Sequence, residues 1–266
     1  MPNIKDVRYV KFRVSDLRKQ QQFLHDFGLH THIEIGVLVA RGTDTSPYIY
    51  LAEEGPTPAF VSVGFLADSE AQLREIAAMD GVAVTENPLE GGGLIAQLTD
   101  PNGFTVDVVA NIAAAAPLAV ADRSGFNRGD AKQRLGERVA FSQTDCFIKR
   151  LGHVVLMGNE FATTLEWYQC RFGLLVSDEI IMQQDGQEQT LGAFTRCNRG
   201  ADYVDHHTLF LINGGQAEFN HAAFEVANWD VLMQSHYQLK KAGYTHSFGV
   251  GKHIPVSYTH LTLPTS

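Results

Sequence analysis

The sequence predicts an α+β protein built from two tandem βαβββ-type modules, the second of them incomplete. Three observations carry this prediction. The order strand, helix, strands, helix occurs twice. Short sequence echoes recur in the same order in both halves. A stretch of small and polar residues separates them. The expected boundaries are 1–111 for the first module, 112–145 for a linker, 146–255 for the second module, and 256–266 for a segment set apart from both.

The elements follow in order. Val10-Lys11-Phe12-Arg13-Val14 alternates apolar and polar residues, the pattern of a half-buried strand. A helix is expected over 17–27, closed by Gly28, and a second from about 69 to 79, opened by a Ser-Glu N-terminal signal. Further strands are expected near 48–51, 60–65, 94–98 and 104–109. The second half repeats the plan: a strand at 153–157, a helix over 161–172 closed by Gly173, strands near 191–195, 208–212 and 219–226, and a helix from about 230 to 242 that stops at Gly243. Asp26-Phe27-Gly28-Leu29 answers Arg171-Phe172-Gly173-Leu174, and Gly64-Phe65-Leu66-Ala67-Asp68 answers Phe224-Glu225-Val226-Ala227-Asn228. This alignment places Val61 in the slot of His221, with Asp107 lying 46 residues beyond Val61. The same step from His221 reaches position 267, so the last strands of the second module are expected to be missing. Residues 256–266 (VSYTHLTLPTS) carry no formal charge and break the preceding pattern. They resemble the translation of a transposase sequencing adaptor, which places the end of the native chain near Pro255.

Composition narrows the function. With 44% hydrophobic and 19% charged residues, the 266-residue chain can bury a sizeable core. Its net charge is −9 and no long basic run occurs, which argues against nucleic acid as a partner. The most apolar stretch, 106–121, is broken by Asp107, Asn111 and Pro117 and is not the sequence of a membrane span. Three scattered cysteines (Cys146, Cys170, Cys197) form no disulfide framework and no zinc-knuckle spacing, as expected of a reduced cytoplasmic protein. Gly91-Gly92-Gly93 is followed by no Lys-Ser/Thr and reads as a turn. Trp167, Tyr168, Phe194, Phe210 and Phe224 read as core, with one of the phenylalanines a candidate to line a ring pocket.

The eleven histidines are the unusual feature, and eight lie in the second half. His153, His207 and His221 each sit in or beside an expected strand. One such histidine alone reads as a satisfied core or surface residue, but three on one curved sheet point to a metal. Strand alternation sends His206 and His207 to opposite faces, so they are not expected to enter one cup together. Glu225 shares the face of His221 but lies four residues along, about 13 Å at strand rise, and reads as a rim carboxylate. His25, His30, His32, His236 and His246 read as surface or loop residues.

The segments Leu151-Gly152-His153-Val154-Val155-Leu156, Asp205-His206-His207-Thr208-Leu209, Phe219-Asn220-His221-Ala222-Ala223-Phe224-Glu225-Val226 and Gly249-Val250-Gly251-Lys252-His253 resemble, in order, the landmarks of type I extradiol ring-cleavage dioxygenases of the vicinal oxygen chelate superfamily. The resemblance spans residues 4 to about 255 and is strong in the second half and generic in the first. It implies two vicinal-oxygen-chelate modules, of which the first is metal-free. His153 and His221 match the two histidine ligands of Fe(II), with Mn(II) as the alternative ion. His207 matches the pocket histidine beside the O2 site, and His253 the histidine that hydrogen-bonds the bound diol. The family's third ligand is a glutamate beyond a tyrosine and an Asp-Pro-x-Gly run, none of which follows His253. Tyr258 and His260 fall in the adaptor-like tail and are not promoted to those roles.

The implied activity is extradiol cleavage of a catechol-type diol with O2. The implied partners are that diol, O2 and further copies of the chain in a homo-oligomer. With two ligands of three, the chain as given is expected to bind iron weakly and to turn over little. Two rivals remain: a glyoxalase- or epimerase-like metalloenzyme of the same superfamily, and a metal-free protein that binds a small aromatic molecule.

Overall fold

The computed structural model describes residues 2–119, 129–130, 147–184, 186–247 and 260–264. Eight strands of the first module form one sheet: β1 (Ile4–Val14), β2 (His30–Glu34), β3 (Val37–Arg41), β4 (Tyr50–Glu54), β5 (Ala59–Ala67), β6 (Val84–Glu86), β7 (Leu94–Thr99) and β8 (Thr105–Ala110), in the order β2-β3-β4-β1-β5-β8-β7-β6. The second sheet joins β9 (Ile148–Gly158), β10 (Leu175–Gln184), β11 (Gln187–Arg196), β12 (Leu209–Asn213), β13 (Glu218–Val226) and β14 (His260–Pro264), in the order β10-β11-β12-β9-β13-β14. Helices α1 (Leu17–Phe27) and α2 (Glu70–Met79) belong to the first module, α3 (Phe161–Phe172) and α4 (Trp229–Lys241) to the second. The two-module α+β architecture is therefore the one expected from the sequence.

Local chemistry sets the helix ends. The Asp16 side chain accepts from the backbone N–H groups of Arg18 and Lys19, Ser69 caps Gln72, and Asn228 caps Val231. Gly28 and Gly173 end α1 and α3 in the left-handed conformation. The expectations above do not include β2, β3, β6 or β10. β2 reads His-Thr-His-Ile-Glu, and β10 carries Asp178 and Glu179 in its inner half and Gln183 and Gln184 at its end; both are edge strands with little apolar alternation. Gly91, Gly92 and Gly93 form a turn, as expected.

The repeat is closer than the sequence suggests. The β1/β5 ladder pairs Phe12 with Phe60, Lys11 with Ser62, Tyr9 with Gly64 and Val7 with Phe65. The β9/β13 ladder pairs Leu156 with Phe219, Val155 with His221, His153 with Ala223 and Leu151 with Phe224. Both ladders carry irregularities at the corresponding places, so the two can be overlaid residue on residue. The overlay puts Ser62 opposite His221 and Tyr9 opposite His153. This corrects the sequence alignment, which gave the His221 slot to Val61; the true counterpart of Val61 is Asn220.

The strand beyond β13 departs from the repeat. β8 runs parallel to β5, pairing Asp107 with Gly64, whereas β14 runs antiparallel to β13, pairing His221 with Pro264. Residues 260–264, read from sequence as lying outside the fold, thus occupy the edge where the first module carries β8, but in the opposite sense. Of the segment expected to be a linker, residues 113–118 run back along the first module: Ala113 N–H donates to Gly91 O, Ala115 N–H to Thr45 O and Leu118 N–H to Thr43 O.

One hydrophobic core spans both modules. Phe12, Phe60 and Phe219 meet between the sheets, with the Phe60 and Phe219 rings stacked at 4.7 Å. Phe65 of β5 packs on Phe172 of α3, and Phe224 of β13 packs on Phe27 of α1, so each module seats a strand on a helix of the other. α1 also meets the end of α4, where the Tyr244 hydroxyl lies 3.0 Å from the Asp26 carboxylate.

Candidate metal centre

Three histidine rings meet at the second sheet. β9 supplies His153 and β13 supplies His221. Because His153 pairs with Ala223 and His221 with Val155, the two are diagonal neighbours across adjacent strands. Their ring centroids lie 5.5 Å apart. His207 reaches the same place from the loop before β12, with its ring 4.0 Å from that of His153. His153 and His207 are each only 3% exposed, and His221 is half-buried.

The surroundings fix the tautomer of His221. The β9/β13 register skips Asn220, and its side-chain Oδ1 lies 2.7 Å from His221 Nδ1. Nδ1–H donates to that oxygen, which leaves the lone pair on Nε2.

His207 has a second polar neighbour, His206. His206 and His207 lie in a loop and not on a strand, so alternation does not separate them. Their Nδ1 atoms are 3.2 Å apart, and His206 Nε2 is 2.7 Å from Asp178 Oδ2 on β10. With both rings neutral, His207 Nδ1–H donates to His206 Nδ1 and His206 Nε2–H donates to Asp178. His207 is thus tied through His206 to a carboxylate whose side chain is 66% exposed. Phe194, stacked on Phe210 at 4.0 Å, stands with its ring centroid 4.9 Å from that of His207 and forms an aromatic wall. Phe194 is buried, as the sequence reading of these phenylalanines as core expects.

Glu225 behaves as the rim carboxylate expected. Lys149 and Arg150 Nε both bind it. Burial works against its charge, but these two cations outweigh that and hold its carboxyl below the usual range. It is committed to them and not to the histidines. Among the described residues, no group of three or more His, Cys, Asp and Glu side chains is arranged to hold a metal. The second sheet offers two imidazoles on adjacent strands and a third beside them. His253, expected to bind the diol, lies outside the described residues, as do Cys146 and Tyr258.

The first module holds different side chains at these positions. Tyr9 and Ser62 stand where His153 and His221 stand, and Tyr48 takes the place of His207. The last match follows from the backbone: Ile49 N–H donates to Ala40 O, just as Thr208 N–H donates to Thr195 O. Asp107 accepts from both the Tyr9 hydroxyl (2.8 Å) and the Ser62 hydroxyl (2.6 Å). The sequence alignment put Val61 where Ser62 belongs, and so did not bring a hydroxyl to Asp107 from that strand.

The chain and its fold resemble known proteins. No family profile matches the chain. The chain is 26% identical over 256 residues to metapyrocatechase 2 of Cupriavidus necator, covering 94% of this chain and 74% of that protein. A Mn(II)-bound glyoxalase from Novosphingobium aromaticivorans superposes with a TM-score of 0.70 at 19% identity, over 91% of this chain and 72% of that one. The 2,3-dioxygenase LapB from Pseudomonas sp. KL28 superposes with a TM-score of 0.73 at 14% identity, over 96% of this chain and 86% of that one. At these identities the structural matches speak for the fold. Among the described residues, no helix is long and apolar enough to cross a membrane.

Proposed function

We propose that the chain, which shares the two-module fold of the glyoxalase and 2,3-dioxygenase structures and is similar to a metapyrocatechase, is of the type I extradiol dioxygenase kind in the vicinal oxygen chelate superfamily, and that its second module is built to cleave a catechol-type diol with O2 at a mononuclear divalent iron whose third, glutamate ligand this sequence lacks. The observation that carries this is the convergence of His153, His207 and His221 in one cup, in a chain similar to a metapyrocatechase. His153 and His221 would hold the metal, with Mn(II) as the alternative ion. A metal bound there supplies Lewis acidity to the diol oxygens and a path for electrons from the ring to O2.

The chain's own residues do the rest. Asn220 orients the His221 ring so that Nε2 faces inward. Phe194 presents an aromatic face to a flat substrate ring beside His207. His207, almost fully buried, holds and delivers the proton needed as the ring opens, acting as general acid and base. His206 and Asp178 connect its Nδ1 to the surface, so that the proton can be restored from water. His253 remains the candidate for binding the diol.

The test is an anaerobic Fe(II) and Co(II) titration of the full chain, with His153→Ala and His221→Ala beside it. Each substitution is expected to weaken metal binding by at least about tenfold. Adding catechol to the Co(II) form is expected to change its visible spectrum. Unchanged metal affinity in both variants would overturn the metal reading, and a metal spectrum indifferent to catechol would overturn the diol reading.

A further inference from the structure

The loop that delivers His207 is fastened differently from its counterpart in the first module. After β3, Thr43 N–H donates to Ile148 O and Asp44 N–H to Lys149 O, so that loop is bonded by its backbone to the start of β9. The matching loop after β11 runs from Cys197 to His207. Among the described residues, no backbone hydrogen bond joins it to the start of β1. A cavity of about 470 Å³ opens there instead, lined by Lys5, Asp6, Arg150, Asp205 and Thr208 among others. Every residue from Asn198 to His206 is exposed or half-buried, and of these Val204 packs against the core. Apolar burial therefore does little to hold the loop.

Ion pairs hold it. Arg199 Nη1 is 2.8 Å from Asp68, His206 is bound to Asp178, and Arg150 Nη2 is 2.7 Å from Asp205, two residues before His207. Arg150 stands on β9, three residues before His153. Its Nε is 2.7 Å from Glu225 on β13, four residues beyond His221, and its Nη1 is 3.3 Å from Asp6 on β1. One guanidinium thus joins the three chain segments that carry the three histidines. Its forked donors can meet several carboxylates at once, which the point charge of a lysine cannot do. Burial opposes its charge, but Asp205, Asp6 and Glu225 outweigh burial and keep it cationic. The side chains of Arg150 and Asp205 are 25% and 22% exposed, against 66% for Asp178. The Arg150–Asp205 pair is therefore the better shielded of the two ties that flank His207.

We propose that Arg150 is a positioning residue for His207: its pair with Asp205 draws the 198–206 loop across the cavity and holds the His207 ring against His153. The claim about the loop stands on this network; its consequence for catalysis rests on the proposed function.

The test follows the rate at which diethyl pyrocarbonate modifies His207 in the full, metal-free chain, read by mass spectrometry. Hydrogen exchange in β9 and β13 checks that the sheet is intact. Arg150→Gln and Asp205→Asn are each expected to speed the modification by about tenfold, the order for losing a charge-assisted hydrogen bond at a partly shielded site. The two together should do no more than either alone, because they break one pair. Glu225→Gln leaves that pair standing and is expected to stay near the wild-type rate. With Fe(II) and catechol, Arg150→Gln and Asp205→Asn should lower kcat at an unchanged KM for the diol. An inactive wild type would count against the proposed function alone, and the modification rates would still decide the loop. An unchanged His207 rate in Asp205→Asn, additive effects, or faster exchange throughout β9 and β13 would overturn the proposal. Should Arg150→Gln fail to fold, Asp205→Asn decides, since it leaves Arg150 bound to Asp6 and Glu225.

Discussion

Asn220→Ala isolates the outer hydrogen bond of the proposed centre. The substitution leaves His221 on its strand and removes only the oxygen that accepts from Nδ1 at 2.7 Å. Without it the ring can rotate, and the tautomer with its lone pair on Nδ1 becomes accessible, so part of the histidine population presents the wrong nitrogen. Losing such a partner costs about 10- to 100-fold in metal affinity, which is about 1.4–2.7 kcal/mol. Asn220 lies where the β9/β13 register skips a residue, so its backbone supports no regular ladder pair and alanine should disturb the sheet little. The assay is a chelator-competition titration with Co(II), run beside His221→Ala and a urea unfolding curve. The expected ranking is wild type, then Asn220→Ala, then His221→Ala, with the first two equally stable. An unchanged dissociation constant would refute the claim that this bond sets the ligand tautomer. A loss as large as that of His221→Ala would refute the claim that the bond acts only through orientation.

Three further outcomes are expected. His207→Ala should keep its metal and lose about 10²- to 10⁴-fold in any catechol-dependent O2 uptake, the range for a general acid or base; equal loss of metal would make His207 a ligand instead. Tyr9→Phe should lower unfolding stability by about 1.5–3 kcal/mol in urea melts, because Asp107, 3% exposed, loses one of its donors; a neutral result would mean that water replaces the hydroxyl. Glu225→Gln should destabilise the chain by about 1–2 kcal/mol near pH 7, with a defined pH dependence. The folded pKa of Glu225 is depressed, so its contribution is present above the ordinary carboxylate value of 4.5 and is lost as pH falls through the folded value. Wild type and variant should therefore converge in acid, and a gap that persists there would show that packing, not charge, carries the effect.

Much of this molecule can be read from sequence, and the parts that cannot share a cause. Caps and stops are local chemistry, so α1 and α3 fall where Asp16, Gly28 and Gly173 place them. The histidines announce themselves by residue type and by their strands. Register is different: a ladder irregularity adds one residue, and a one-residue slip turns every side chain to the other face. The echo of Gly64-Phe65 in Phe224-Glu225 is such a slip, for the structure pairs Phe65 with the place of Phe224 and so Ser62 with that of His221. Val61 hid a polar trio in this way. The contact between His206 and His207 was not foreseen for a related reason: alternation was applied to a loop, where neighbouring side chains can turn toward each other.

The overlay of the two ladders also explains why the modules differ in what they can hold. In the first, a large ring at position 9 must be matched by the smallest residue across the ladder. A Cβ on Gly64 would lie 2.3 Å from the Tyr9 ring. In the second, the smaller His153 ring tolerates Ala223 opposite it. The interior of the first cup is then filled by Tyr9, Tyr48, Val39, Leu51 and Val109, packed as a small core of their own. The second cup is lined by imidazoles and edged by Phe194. The filled module still serves the other, because Phe224, three residues beyond His221, is seated on Phe27 of α1. The two copies of one plan thus differ in what their equivalent positions carry: polar groups that satisfy one another on Asp107 in the first, and imidazoles, the proposed ligands, in the second.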